Sequence, residues 1–201
     1  MKQVVGLFVL LALPRVADAD VSWINPHWQG ISGYSGALLT CPIGDDASLS
    51  HPADEYGLTG IGISEVNNKG KQLRLYGRQM GVGATGNPLV GFDTIAGNIL
   101  LGSTNYVQLG TNRYIRAVRA CNNNNNDHKL KGLQVMSAYI DDDEYVAEPG
   151  MADIYEQPNC DDWDSWVTCP EGEVAVAVRM NHENDAFTGI ELQCAEVVWT
   201  P

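Results

Sequence analysis

The chain of 201 residues carries 25 acidic and 12 basic side chains, which gives a formal net charge of −13 at pH 7. A negative field of this size repels phosphate backbones and anionic headgroups, so we expect no nucleic-acid binding and no docking on anionic membranes. The 21 glycines, together with the lack of helix-period apolar patterns, predict an all-β chain with many turns.

The first 19 residues have the pattern of a secretion signal. Lys2 supplies the positive start, an apolar run spans Val4 to Leu13, and Ala17-Asp18-Ala19 has the small residues of a cleavage site. The apolar run is too short to span a bilayer. We therefore expect a secreted, extracellular protein with no membrane insertion, in which residues 20–201 form a single domain.

The segment that follows, from Asp20 to Ala37, is rich in aromatic side chains and glycine. We expect Trp23 and Trp28 to plug the end of a stack of sheets. The alternative is a sugar platform, because an exposed indole face packs well on the apolar side of a pyranose. The segment contains no G-x-S-x-G motif, so a serine hydrolase is not indicated.

One pattern, apolar-x-Gly-apolar-x-apolar, occurs three times along the chain. The three copies are Leu58 to Ile63, Leu130 to Val135 and Phe187 to Leu192. A glycine inside a strand pattern marks a bulge, a bend or a close approach of two backbones. The recurrence predicts an internal repeat and three similar sheets, built from roughly residues 21–90, 91–140 and 155–199.

Other segments are typical of exposed strands and turns. Arg74 and Arg78 fall on one face of a predicted strand, where we expect them to neutralise nearby carboxylates. The asparagine run Asn122 to Asn126 is expected to form the solvated tip of a hairpin.

An acidic run, Asp141, Asp142, Asp143 and Glu144, precedes Pro149-Gly150. Like charges packed this closely stay exposed, so we interpret this stretch as a solvated connection between two repeat units. A calcium site needs six to eight oxygens that converge from a turned backbone, and the D-x-D-x-D-G spacing is absent. Calcium binding by these four acids is therefore the weaker alternative.

The mature chain keeps five cysteines, an odd number that leaves one unpaired or bridged to another chain. Cys169 and Cys194 bracket two predicted strands, and their bridge would add roughly 3 kcal/mol. Cys41 then pairs with Cys121 or with Cys160. We favour Cys41–Cys121, which leaves Cys160 available for a disulfide-linked dimer.

The stretch from Trp163 to Cys194 has a Trp-x-x-Trp pair before Cys-Pro-x-Gly and a later Gly-Ile-x-Leu-x-Cys. With these motifs it resembles the vitelline membrane outer layer protein family. The resemblance is partial over Thr40 to Ile63 and thin over Ile115 to Val135. It implies a β-prism of three pseudo-symmetric antiparallel sheets in a secreted, disulfide-bonded protein.

The candidate binding residues lie in this last stretch, because glycan sites combine acids with aromatic rings. They are Asp161, Trp163 and Asp164, together with Glu183 and Asp185 at the predicted hairpin tip. The four histidines are far apart and no His/Cys group has zinc spacing, so neither a metal centre nor another cofactor is indicated. We assign no catalytic residue.

These observations favour a secreted, non-catalytic protein that binds glycans or matrix proteins of an extracellular coat or surface. One alternative is an extracellular enzyme acting on oligosaccharides by hydrolysis or by the hexosaminyl transfer that the resemblance implies. A glycosidase needs two carboxylates about 5 to 9 Å apart, a spacing that some pair among 25 acids meets by chance. The other alternative is a purely structural coat component.

Overall fold

A computed structural model of the protein describes residues 20–33, 35–41, 53–65, 69–81, 93–97, 103–123, 128–141, 144–156, 159–160, 162–184 and 186–200. The predicted signal, residues 1–19, lies outside this set. A short 3₁₀ turn spans Ala53–Glu55. Within the described ranges no helix is long and apolar enough to cross a membrane.

The strands form three antiparallel sheets. Sheet I contains, in spatial order, β1 (Asp20–Gly33), β13 (Ala186–Thr200), β12 (Glu173–Glu183) and β2 (Ala37–Cys41). Sheet II contains β5 (Asp93–Gly97), β4 (Gly70–Gln79), β3 (Tyr56–Glu65) and β6 (Ser103–Gln108). Sheet III contains β10 (Asp162–Trp163), β7 (Arg113–Asn122), β8 (Leu130–Ile140) and β9 (Tyr145–Glu156), and β11 (Val167–Thr168) also pairs with β7.

All three sheets turn one face toward a shared apolar core. Alternate side chains of the central strands point inward, as the two-residue period of a strand requires. Fully buried members from the three sheets are Ile61, Ile63, Val118, Leu133, Val135, Val178, Ile190 and Leu192. Three antiparallel sheets around one core form a β-prism, which confirms the predicted fold class.

A second, smaller apolar cluster closes one end of this core. Tyr114 lies in it, fully buried, and its hydroxyl donates to the carbonyl of Gln79 at 2.8 Å. Trp23 packs against the same cluster, and its Nε1 donates to the carbonyl of Tyr56 at 2.9 Å. Trp23 therefore plugs this end of the prism, the role that its sequence context suggests.

The three pattern glycines lie on the inner strands of three different sheets. Gly60 is on β3, Gly132 on β8 and Gly189 on β13, and each has a paired strand on both sides. A methyl group on Gly132 would come within 2.8 Å of the Trp163 ring, and one on Gly60 within 2.5 Å of the carbonyl oxygen of Val107. Gly60 and Gly132 thus mark close approaches, where a side chain would not fit.

The distribution of the chain among the sheets differs from the predicted units. β1 and β2, expected in the first unit, pair with β13 and β12 in sheet I. The stretch expected as a solvated connection forms β9. The described ends of the acidic run lie between β8 and β9, where the amide of Asp141 donates to the carbonyl of Glu144 at 2.9 Å. Pro149-Gly150 falls at a register shift of β9, where proline interrupts no ladder hydrogen bond.

The predicted tip of the asparagine hairpin is wrong for its first two residues. Asn122 and Asn123 are each 4% exposed. The Nδ2 of Asn122 donates to the carbonyls of His128 and Thr188, both at 2.8 Å. Residues 124–127 lie outside the described part of the chain.

One of the two predicted disulfides is confirmed. Cys169 and Cys194 are bridged, with their Cα atoms 5.5 Å apart. The predicted Cys41–Cys121 pair is wrong, because Cys121 is bridged to Cys160 with a Cα separation of 5.6 Å. β10 pairs Trp163 with Cys121 and so brings Cys160 beside the end of β7. Of five cysteines four are bridged, which leaves Cys41 without a cysteine partner in this chain.

Candidate functional site

Three β-hairpins meet at the end of the prism opposite the tyrosine-filled cluster. A methyl group on Gly70, at the start of β4, would lie 3.5 Å from Phe187 and 3.9 Å from Leu130, which are near the starts of β13 and β8. The bond from Asn122 to the Thr188 carbonyl fastens the end of β7 to β13. We call this surface the hairpin end.

Of the five predicted binding residues three are described, and these lie at the hairpin end on two different sheets. Trp163 and Asp164 lie on sheet III, whereas Glu183 is exposed at the tip of the β12–β13 hairpin in sheet I. Asp161 and Asp185 lie outside the described residues. Among the described side chains, no hydrogen bond, ion pair or ring contact joins Glu183 to Trp163 or Asp164.

The ring of Trp163 makes contacts within sheet III. It covers Gly132, and the guanidinium carbon of Arg119 lies 5.0 Å from its centroid and 4.7 Å from that of Trp166. The Nε of Arg119 donates to Oε1 of Gln134 at 2.6 Å. The Trp-x-x-Trp motif thus holds Arg119 against the outer face of the sheet by cation–π contacts.

Asp164 is positioned by its backbone. Its amide donates to the carbonyl of Ala120 at 2.9 Å. Burial raises the pKa of the Asp164 carboxyl above its ordinary value, and the negative charge of Asp162 adds to the effect. This carboxyl therefore holds a proton more readily than an exposed aspartate does.

Sheet I carries an arginine at the place that corresponds to Arg119. Arg179 pairs with Glu191, two residues after Gly189, and Arg119 pairs with Gln134, two residues after Gly132. The Nε of Arg179 donates to Glu191 at 3.0 Å, and its Nη2 also contacts that carboxylate.

Two further side chains complete the cluster around Arg179. The Nδ2 of Asn181 donates to the other carboxylate oxygen of Glu191 at 2.8 Å. The guanidinium carbon of Arg179 lies 4.2 Å from the centroid of Trp28. Trp28 thus stacks on the outer face of sheet I and does not plug the end of the sheets.

Sheet II departs from this arrangement. Arg74 pairs with Gly62, two residues after Gly60, so no side chain stands where the other sheets have Gln134 and Glu191. On the other side of Gly62 the ladder partner is Tyr106, which is 61% exposed.

Two tyrosines are ladder partners of these glycines, Tyr76 of Gly60 and Tyr106 of Gly62. The ring centroids of Tyr76 and Tyr106 are 6.1 Å apart with an interplanar angle of 48°, and the guanidinium carbon of Arg74 lies 5.6 Å from the Tyr76 centroid. We call this surface, formed by Arg74, Tyr76 and Tyr106 over Gly60 and Gly62, the tyrosine platform. Sequence analysis missed it, although the alternation Gly60-x-Gly62 with Arg74-x-Tyr76 carries the signal.

The described residues supply no ligand set for the calcium alternative. The carboxylate of Asp141 accepts from the Tyr139 hydroxyl at 2.8 Å and from the Asn112 amide at 3.5 Å. Glu144 is exposed, whereas Asp142 and Asp143 lie outside the described residues. Within the described ranges no group of three or more His, Cys, Asp or Glu side chains is placed to hold a metal ion.

Comparison with known proteins shows similarity of fold. No family model matches the chain, and no curated protein sequence matches it. The crystal structure of Calystegia sepium agglutinin has 15% sequence identity over 83% of this chain and 95% of that chain, with a TM-score of 0.50. The crystal structure of Calsepa lectin in complex with a biantennary N-glycan gives the same values.

A mannose-binding jacalin-related lectin from Ananas comosus is also similar, with 14% identity over 84% of this chain and 96% of that chain and a TM-score of 0.48. At 15% identity the likeness to Calystegia sepium agglutinin concerns the fold, which is a β-prism related to the one that the sequence resemblance implies. The vitelline membrane outer layer resemblance itself stays a prediction.

Proposed function

We propose that this protein is a secreted, non-catalytic lectin that binds glycans of an extracellular coat or surface through the tyrosine platform of sheet II. The observation that carries the proposal is the 61% exposure of Tyr106 beside a ladder partner, Gly62, that has no side chain. In the other two sheets an arginine and its hydrogen-bonded partner fill the equivalent place.

The chemistry of the platform suits a sugar. A tyrosine face packs on the apolar C–H side of a pyranose, and a phenol hydroxyl is both a donor and an acceptor of hydrogen bonds. Two tilted rings offer a surface for more than one sugar residue, and the guanidinium carbon of Arg74 lies 5.6 Å from the Tyr76 centroid at its rim. The net charge of −13 favours neutral glycans over acidic ones.

Fold and covalent structure support this proposal. The β-prism neighbours of the chain are lectins, and one was crystallised with an N-glycan. Two disulfides are typical of proteins that fold in an oxidising compartment. Together with the predicted signal, they favour an extracellular location.

The hairpin end is proposed as a second contact region for longer glycans. Asp164 and Glu183 would accept hydrogen bonds from sugar hydroxyls, as would Asp161 and Asp185. Trp163 has a smaller part in this proposal, because its ring already contacts Arg119 and Gly132.

A structural role in a coat is the second candidate function, and the leftover Cys41 favours it. Because the other four cysteines are bridged, a disulfide from Cys41 must reach another chain. We propose that such a disulfide links two copies of this protein, which would also present two tyrosine platforms to one glycan surface.

A glycan array tests the lectin proposal, with the mature protein applied once in calcium and once in a chelator. We expect selective binding to neutral glycans in both conditions. Loss of binding in the chelator would show that binding requires calcium and would favour the acidic run as its site. No binding in either condition would overturn the proposal and leave the coat role first.

A further inference from the structure

A concave site that shares no residue with either surface described above lies at the seam between sheets II and III. It is a cavity of about 350 Å³, and such volumes are at the lower end of those of small-molecule sites. Three polar side chains line it, Arg113, Ser137 and Glu148. Apolar lining comes from Leu109, Val135 and Ala152. We call it the seam pocket.

A bulge in β9 builds the polar side of the seam pocket. Met151 pairs with Met136 and Ala147 pairs with Ala138, so residues 148–150 lie at a register shift without ladder partners. A bulge bends its strand and re-aims a side chain, and here the side chain is that of Glu148. Pro149 follows it in this unpaired segment, where a proline interrupts no ladder hydrogen bond.

The polar side chains of the pocket are held in one arrangement. The Nε of Arg113 donates to both carboxylate oxygens of Glu148 at 2.9 Å, and the Ser137 hydroxyl donates to one of them. The Arg113 side chain is 44% exposed, and among the described residues its two Nη groups have no hydrogen-bond acceptor. The pocket thus presents donors from Arg113 and acceptors from Glu148 without a net charge.

We propose that the seam pocket binds a single neutral hexopyranose residue. Sugar hydroxyls both donate and accept, so one ring can bond to the Arg113 Nη groups and to Glu148 at once. The C–H side of the ring packs on Leu109 and Ala152. Acidic sugars are disfavoured, because Glu148 neutralises Arg113 and the whole chain is negative.

This site goes beyond the proposed function, because it shares no residue with the tyrosine platform and binds a monosaccharide on its own. The test is an ¹⁵N-edited NMR titration of the full mature chain with methyl α-mannopyranoside and methyl β-galactopyranoside. We expect at least one of them to shift the amides of Ser137 and Gly150, with a Kd of about 1 mM, as for other ligands of this size. The anionic probe methyl β-glucuronide should bind at least about tenfold more weakly.

Glu148→Gln keeps the size of the side chain and removes its charge, and we expect it to weaken binding of the neutral sugar about tenfold or more. Glu144→Gln, at the turn before β9, is the matched control and should bind as the wild type does. Ser137→Ala leaves the ion pair in place. It should weaken binding less than Glu148→Gln does, which keeps the test valid if the latter misfolds.

The outcomes separate this inference from the lectin proposal. If neither sugar shifts the amide resonances of the seam pocket at about 50 mM, fifty times the expected Kd, the inference is wrong. This holds even if the array shows glycan binding that Tyr106→Ala weakens. Equal binding by Glu148→Gln and the wild type would also overturn it. Pocket shifts without any array signal would support the inference and contradict the lectin proposal.

Discussion

Tyr106 on β6 lies directly across the ladder from Gly62 on β3, and a methyl group on that glycine would come within 3.2 Å of the tyrosine Cβ. Gly62 itself is buried, so the outer face of sheet II at this place is formed by Tyr106 and the other side chains that surround the glycine. In the other sheets the corresponding residues, Gln134 and Glu191, bind arginine. The tyrosine platform exists because glycine replaces a polar side chain at this one place.

Tyr106→Ala should weaken binding of the best array glycan roughly five- to tenfold. One aromatic stacking contact is worth on the order of 1 kcal/mol, which corresponds to this change in affinity. The exposed side chain adds little to folding, so the free energy of unfolding should change by less than about 0.5 kcal/mol. Isothermal titration calorimetry measures the glycan affinity, and urea unfolding measures the free energy of unfolding. Val146→Ala, an exposed apolar residue of sheet III, is the control; equal losses in the two variants would count against a specific platform.

Gly62→Gln should block the platform while the protein stays folded. The new side chain would stand where Gln134 and Glu191 stand in the other sheets, beside Arg74 and against the Tyr106 ring. A glycine in a strand costs roughly 0.5–1 kcal/mol, so its replacement offsets the tight contact with the tyrosine. We expect a change in stability within about 1 kcal/mol and a clear loss of glycan affinity. Unchanged affinity would show that glycans do not bind beside Gly62.

Arg179→Met should destabilise the protein by about 2 kcal/mol, because it leaves the Glu191 carboxylate without its cation. The two side chains are only 23% and 12% exposed, so water cannot replace the lost partner fully. Arg179→Lys keeps the charge but loses the planar fork and the stack on Trp28, and should cost less. Urea unfolding measures both variants. A loss below about 0.5 kcal/mol for Arg179→Met would mean that the cluster contributes little to folding.

The disulfides give a prediction that gel electrophoresis can check. The native protein should migrate as a covalent dimer until it is reduced, and Cys41→Ser should migrate as a monomer. Cys121→Ser should instead lose about 3 to 4 kcal/mol of stability, because it opens a bridge with a sequence separation of 39 residues. A dimer that persists in Cys41→Ser would contradict the assignment, as would a wild-type monomer with a free thiol.

Glu173 gives a prediction about pH. Burial raises the pKa of its carboxyl above 4.5, His27 at 3.4 Å lowers it to a smaller extent, and Glu196 raises it further. Ionisation of Glu173 is thus less favourable in the folded state than in the unfolded chain. Its destabilising contribution is absent below the ordinary pKa of 4.5 and appears as the pH rises through the folded value.

Glu173→Gln removes this contribution. The variant should therefore be more stable than the wild type at pH 7, and the difference should disappear near pH 4. Thermal unfolding at both pH values measures it. A variant that is less stable at pH 7 would show that the contact with His27 outweighs the cost of burial.

Local patterns in the sequence were enough to predict the hairpin of β12 and β13, with Cys169 and Cys194 bridged, because strand alternation and a turn are read from neighbouring residues. The β-prism followed from the recurring glycines and the family resemblance. The composition of sheet I was not predictable in the same way, since β1 and β13 come from opposite ends of the chain. β10 has two residues, too few for a period, so nothing in the sequence indicated that Cys160 lies beside Cys121.

The candidate sites show the same limit. Trp163 and Asp164 could be singled out because an acid beside an aromatic ring is a local signal. The partner that occupies the Trp163 ring, Arg119, comes from another strand, and its position depends on register. The tyrosine platform combines β3, β4 and β6, and the seam pocket depends on a bulge in β9, so each needs the pairing of strands to be known first.

An ¹⁵N-edited NMR titration with the glycan that binds best on the array would locate the lectin site on the protein. If sheet II carries the lectin site, the amides of Gly60, Gly62 and Tyr106 should shift first and by the largest amount, and Tyr106→Ala should abolish those shifts. Shifts confined to the amides around Asp164 and Glu183 would place the site at the hairpin end and contradict the proposal that the tyrosine platform binds glycans.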